Sequence, residues 1–236
     1  MVAAQDVADP VRTFRVFRFA REDGPSRFDA FDVPVSAGTT VLDGLRHIRL
    51  HLDPTLSIRH SCFHASCGTC GVRVNGREAL ACVAAIADLS DGDITVEPMA
   101  NLPVLSDLVV DMAPFVERFP PEHPLTRTSE RPVSDASAYV RFEDCIECGL
   151  CLSACPVAAT DDTYVGPAAL AYAQRVLEEA RGGDRDAILA WADRDDAAWR
   201  CHAAFECTEA CPSDVRPAQR IMALRRVLTL GGSAAS

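Results

Sequence analysis

The chain has no lysine. Its 23 basic residues are all arginine, set against 34 aspartates and glutamates, for a formal charge of −11. The missing lysine reads as the bias of a GC-rich genome and carries no function. The acidic balance does exclude nucleic acid as a partner, because phosphate binding draws on a basic surface that displaces counterions. Long apolar runs are absent too. Nowhere do about 18 uncharged apolar residues follow one another, so no segment is expected to cross a bilayer. The opening, MVAAQDVADPVRTF, lacks the basic and apolar regions of a secretory signal. The expectation is a cytoplasmic protein, attached to any membrane only through another subunit. Signatures of a substrate site are also missing: there is no G-x-G-x-x-G after a strand, no nucleophile elbow and no P-loop. The pairs Asp161-Asp162 and Asp195-Asp196 read as solvated faces or helix starts.

A length of 236 residues allows one large domain or two small ones. In the first part, VRTFRVFRF (11–19) alternates with period two, and RFDAFDVPV (27–35) follows a turn at Asp23-Gly24-Pro25-Ser26, which predicts a hairpin. Thr39 or Thr40 is expected to cap a short helix through TVLDGLRHIRL, with Val41, Leu42, Leu45 and Ile48 on one face. Asn75-Gly76 predicts a tight turn between two short strands within 71–82, and DITVEP (93–98) a last strand. SDLVVDMAPFVERF (106–119) reads as a connecting helix with Ser106 as N-cap, and PPEHPLTRTSERPVSDAS as a polar, proline-rich linker. From there the periodicity is helical: GPAALAYAQRVLEEARGG, DRDAILAWADRDDAAWR and PAQRIMALRRVLTLGG. The expected class is α+β, with a mixed domain over 10–103 and an all-α domain over 104–236.

What the sequence does have is cysteine, 11 in all. In a reducing compartment such a set does not pair as disulfides, and tight clustering points to metal ligation. Cys62, Cys67, Cys70 and Cys82 form C-x4-C-x2-C with a distant fourth thiol, the plant-type 2Fe–2S pattern. Gly68 and Gly71 are expected to let the backbone approach the inorganic core, with positive φ. A zinc knuckle fits the four-residue gap less well and has no need of the glycines. A Rieske centre would use two histidines, and His60 and His64 flank Cys62, but four cysteines leave no ligand position for them. His47, His51 and His123 read as solvated.

CIECGLCLSACP (145–156) is the bacterial ferredoxin phrase, and CHAAFECTEACP (201–212) nearly repeats it, with Ala204 where the first has Cys148. In two-cluster ferredoxins the last cysteine of each phrase ligates the other cluster. Cys145, Cys148 and Cys151 are then joined by Cys211 around a 4Fe–4S cluster, while Cys155 joins Cys201 and Cys207. Three thiolates suit a cubane lacking one corner, 3Fe–4S. The alternative at that site is a 4Fe–4S cluster whose fourth ligand is water or lies outside the set. Sets of four, four and three use all 11 cysteines.

SCFHASCGTCGVRVNGREALAC, CIECGLCLSACP with VGPAAL behind it, and CHAAFECTEACP together resemble the iron–sulfur subunit of the succinate:quinone oxidoreductases, the succinate dehydrogenases and fumarate reductases, over nearly the whole chain. The resemblance implies a β-grasp plant-type ferredoxin domain followed by a helical bacterial-ferredoxin-like domain. It implies the electron-transfer subunit of an oxidoreductase in the respiratory chain and tricarboxylic acid cycle. That subunit has no dicarboxylate chemistry of its own; a flavoprotein subunit holds FAD and the dicarboxylate site. Electrons pass one at a time between that FAD and a quinone through 2Fe–2S, 4Fe–4S and 3Fe–4S. One or more hydrophobic membrane-anchor subunits, often with haem b, place the chain peripherally on the inner face of the cell membrane. His202 matches a family histidine close to the quinone or a haem propionate. The chain departs from ubiquinone-reactive members after Pro156, where Val157-Ala158-Ala159-Thr160 stands in place of their tryptophan. A second reading is the iron–sulfur subunit of another flavin-linked reductase, of thiol:fumarate or heterodisulfide type. Those often append CCG domains, which this chain lacks.

Overall fold

The computed structural model describes residues 10–20, 24–120, 145–178 and 185–231. The proline-rich linker, most of the segment before Cys145, the Gly182-Gly183 helix stop and Asp23 of the first expected turn lie outside them. The chain divides into two compact units.

The first unit gathers the residues up to Pro98 together with Val104–Val110. Strands β1 (Val11–Arg18) and β2 (Arg27–Pro34) form the expected antiparallel hairpin. Strands β3 (Gly71–Val74) and β4 (Arg77–Leu80) form a second, around Asn75 (φ 49°) and Gly76 (φ 80°), both in the left-handed region that a type I′ turn requires. Strand β5 (Ile94–Glu97) lies parallel to β1 and antiparallel to β3, joining the hairpins in the order β2-β1-β5-β3-β4. Helix α1 (Val41–His47) buries Val41, Leu42 and Leu45 and continues as a wider π turn over Ile48–Leu52. Thr40 caps it, its hydroxyl accepting from the Asp43 N–H while the Asp43 carboxylate accepts from the Thr40 N–H. Gly44 sits directly on β1: a Cβ there would stand 2.3 Å from the tip of the fully buried Phe14 ring. A mixed sheet with one helix packed in this way is the β-grasp arrangement.

Residues 106–119 depart from the expected single helix. Short strands β6 (Val104–Ser106) and β7 (Val109–Val110) pair around Asp107, whose φ is 44°. Helix α2 starts only at Ala113–Val116, with the Asp111 carboxylate accepting from the Ala113 N–H, so Ser106 is no N-cap. The cause is tertiary. The Asp107 carboxylate, buried at 4% exposure, accepts from Arg18 Nε at 3.1 Å and from the backbone N–H groups of Phe19 and Ser57 at 2.9 and 2.8 Å. Arg18, itself 5% exposed, also donates to Asp53, Asp29 and Thr55. Three donors and a buried partner outweigh the local helical pattern. The Thr55 hydroxyl and Arg18 hold the Asp53 carboxyl down at about 2.

The second unit comprises Met99–Pro103 and the chain from Asp111. Among its described residues the regular elements are helical, as expected: α2, α3 (Leu150–Ser153), α4 (Pro167–Glu178), α5 (Arg185–Ala192), α6 (Glu206–Glu209) and α7 (Pro217–Thr229). Helices α4 and α7 both begin at a proline that follows a left-handed residue, Gly166 or Arg216. Arg220 of α7 reaches across to Gln174 and Glu178 of α4. The Asn101 amide donates to the carbonyls of Leu152, Ser153 and Cys155 at 2.8–3.1 Å, covering the orphan acceptors at the end of α3. No helix among the described residues is long and apolar enough to cross a membrane.

Candidate iron–sulfur sites

In the first unit, Cys62, Cys67 and Cys70 lie on the loop that leads into β3, and Cys82 follows β4. The β3–β4 hairpin thus folds the distant fourth thiol back onto the loop, with the Ala81 N–H donating to the Cys70 carbonyl at 3.0 Å. The loop turns its amides toward sulfur. Ala65 N–H donates to Cys82 Sγ at 3.3 Å, and Ser66 and Cys67 N–H donate to Cys62 Sγ at 3.2 and 3.3 Å. Three residues take left-handed backbone to do so: Phe63, Ala65 and Gly68. Gly71, expected to share that role, instead belongs to β3. Arg46 lies over the Phe63 ring, and the His60 ring stands 5.2 Å from it. Backbone donors from His64 and Cys67 pull the Cys62 thiol down to about 6, whereas burial pushes Cys70 up to about 12. His64 donates from Nδ1 to the Cys62 carbonyl, which leaves it oriented by the loop.

In the second unit the repeated phrases are repeated structures. Cys148 lies between left-handed Glu147 and Gly149, and Ala204 lies between left-handed Ala203 and Phe205. Each phrase then enters a one-turn helix, α3 or α6, capped by that left-handed residue. The backbone is therefore kept where the thiol is not. Cys145, Cys148, Cys151 and Cys211 line one cavity, together with Phe115, Val215 and the proline after Cys211. Cys155, Cys201 and Cys207 line another, with Ala204, His202, Tyr164, Pro156 and Val157. Cys151 and Cys155, four residues apart in the first phrase, line different cavities, as do Cys211 and Cys207 in the second, so the two cavities adjoin.

Burial pushes Cys145 and Cys207 up to about 12 and Cys148 to about 11, and the neighbouring thiols push in the same direction. Thiols packed this way resist ionising on their own, and bound cations reverse that balance by deprotonating them outright. Among the described residues no three His, Cys, Asp or Glu side chains converge on a single-ion position. Rings of thiols around cavities, with N–H groups aimed at sulfur, fit polynuclear iron–sulfur cores.

Three features have no counterpart in the spacing of the motifs. Arg225 donates to the carbonyls of Ala198, Trp199 and Cys201, fixing the entry to the second phrase. Arg118 donates to the Tyr164 carbonyl at 2.8 Å. Tyr164 is 1% exposed, and its hydroxyl, beside the Cys201 thiol, has no partner in good hydrogen-bond geometry among the described residues. His202 is exposed at the rim of the second cavity.

Residues 13–117 match a 2Fe-2S iron-sulfur cluster binding domain, and residues 141–215 a 4Fe-4S dicluster domain. A fumarate reductase iron-sulfur subunit of Mycobacterium tuberculosis is 44% identical over 85% of each chain. An Escherichia coli fumarate reductase iron-sulfur subunit is 37% identical over 87% of this chain and 88% of its own. A succinate dehydrogenase iron-sulfur subunit of Paracoccus denitrificans is 31% identical over 94% of this chain and 89% of its own. A chain of the Mycobacterium smegmatis Sdh1 complex superposes with a TM-score of 0.77 over 97% of this chain and 99% of that one, at 24% identity, and so shares its fold. Two cluster domains in this order, and likeness over most of the length to both kinds of subunit, mean that the chain belongs to the family of succinate dehydrogenase and fumarate reductase iron–sulfur subunits.

Proposed function

We propose that this chain is the electron-transfer subunit of a succinate dehydrogenase or fumarate reductase complex, with its 11 cysteines divided among three clusters. Cys62, Cys67, Cys70 and Cys82 hold 2Fe–2S; Cys145, Cys148, Cys151 and Cys211 hold 4Fe–4S; Cys155, Cys201 and Cys207 hold 3Fe–4S. When bound, these groups carry single electrons between the FAD of a flavoprotein subunit and a quinone at the membrane. The observation that carries the reading is the adjoining pair of thiol-lined cavities in the helical unit, one with four thiols and one with three.

The residues of the chain perform the supporting work. Loop amides at Ala65, Ser66, Cys67 and Ala203 donate to thiol sulfurs and so stabilise negative charge there. Burial of Cys70 and Cys82 in the first set, and of Cys155 and Cys207 in the third, excludes water from one side of each of those two. His202 serves a quinone, a role supported by its exposure beside the three-thiol cavity. Attachment to the inner face of the membrane comes through hydrophobic anchor subunits. Support for partners comes from apolar side chains left in solvent: Leu50, Leu52, Phe63 and Val83 in the first unit, and Trp199, Phe205 and Leu230 in the second.

The test is to purify the native complex and assay succinate oxidation and fumarate reduction with ubiquinone and menaquinone analogues, while counting iron. The expected result is dicarboxylate-linked turnover with about nine irons per copy of this chain. The oxidised form should give the near-isotropic paramagnetic signal of a 3Fe–4S centre. A stable monomer of this chain that is fully active alone would overturn the reading.

A further inference from the structure

Among the described residues the Tyr164 hydroxyl is a buried donor with no acceptor in good hydrogen-bond geometry, and it lies beside the thiol of Cys201. Its side chain is 1% exposed and lines the cavity of Cys155, Cys201 and Cys207. Its hydroxyl has no partner in good hydrogen-bond geometry among the described residues. The backbone on both sides is pinned: Arg118 donates to the Tyr164 carbonyl at 2.8 Å, and the Val165 N–H donates to the Asp196 carbonyl at 3.0 Å. The ring therefore has little freedom to seek another partner. A buried hydroxyl left unbonded is costly, and phenylalanine would fill the same space without that cost. Retention of the oxygen beside three thiols points to an acceptor that arrives with the bound group.

We infer that Tyr164 is a positioning residue that donates a hydrogen bond from its hydroxyl to a sulfur of the cluster held by Cys155, Cys201 and Cys207, and thereby sets that cluster's potential above what the thiols alone would give. The inference rests on the ligand assignment proposed above. The physical basis is charge. One added electron increases the negative charge on the cluster sulfurs, so a donor aimed at them favours the reduced state more than the oxidised one. A phenol, with an ordinary pKa near 10, carries its proton throughout the neutral range and so serves as a fixed dipole.

The test uses the purified native complex, wild type and Tyr164→Phe, titrated electrochemically with paramagnetic resonance detection. In the variant the midpoint of the three-thiol centre should fall. At the wild-type midpoint its reduced-to-oxidised ratio should drop about tenfold, equal to about 59 mV for one electron. The midpoints of the other two clusters should not move. A hyperfine coupling to a solvent-exchangeable proton, seen by comparing wild type in H2O and D2O, should be lost in the variant. Incorporation of 3-fluorotyrosine into the unmutated chain, which strengthens the phenol as a donor, should move the same midpoint upward and keeps the inference testable if Tyr164→Phe does not assemble. An unmoved midpoint with an intact signal, or an equal shift at all three clusters, would overturn the role of Tyr164 alone. Absence of any 3Fe–4S signal in oxidised wild type would overturn the three-thiol assignment, and the inference with it.

Discussion

Ala204 occupies in its phrase the place that Cys148 has in the other, in a loop of the same backbone form, with left-handed residues on either side. Ala204→Cys should therefore be accepted without rebuilding the loop. The expected outcome is about one more iron per chain and loss of the 3Fe–4S signal in favour of a 4Fe–4S cluster. The added thiolate brings negative charge, so the converted centre should be harder to reduce and quinone turnover slower. Iron analysis and a redox titration check both points. His202 gives a second prediction at this scale. His202→Ala should impair quinone-linked turnover while largely sparing succinate oxidation by an artificial acceptor that draws electrons at the flavin, and equal loss of both would mark the residue as structural. The grouping of thiols around the two cavities was legible in the spacing, because the ferredoxin phrases exchange their last cysteines. Tyr164 was not legible, since a lone aromatic before V-G-P reads as core and only its unbonded oxygen separates it from a phenylalanine.

Among the elements, α1 and β1 are locked by a contact that a single methyl group would break. Gly44→Ala improves helix propensity by about 1 kcal/mol, but the new Cβ would stand 2.3 Å from the Phe14 ring, inside a sheet-helix core with no slack. Overpacking of that kind costs about 1–3 kcal/mol. The net result should be a lower denaturant midpoint. Elements decided by local chemistry were visible beforehand: the Thr40 cap has its hydroxyl and its Asp43 partner within one turn, and Asn75-Gly76 fixes its own turn type. Residues 106–119 do not form the single helix their periodicity predicts, because the residues that bend the chain there, Arg18 and Ser57, lie far away in sequence. Periodicity reports which face is apolar and is silent about a remote guanidinium.

For the molecule as a whole, the acidic charge and the solvated apolar side chains at Leu50, Val83, Trp199 and Leu230 argue that it is stable and active only in company. Mild solubilisation of native membranes should bring it out with a larger FAD-bearing chain and at least one hydrophobic chain, as resolved by native electrophoresis. The buried Arg18–Asp107 pair has a consequence for any attempt to cut the protein into pieces. Asp107 belongs to the sheet unit, although the five residues Met99–Pro103 just before its strand pair belong to the helical one. A fragment ending at Pro103 contains the whole five-stranded sheet yet leaves the Arg18 guanidinium in the interior without its most buried counterion. Asp53 and Asp29 still offset part of that charge, so the loss falls below the ~3–5 kcal/mol of a fully stranded ion, yet it stays large beside a small domain's reserve. Extending the fragment to Val110 should restore soluble expression, and Asp107→Ala in the longer fragment should abolish that rescue. The border between the two halves is thus written in electrostatics, several residues downstream of where the last long strand stops.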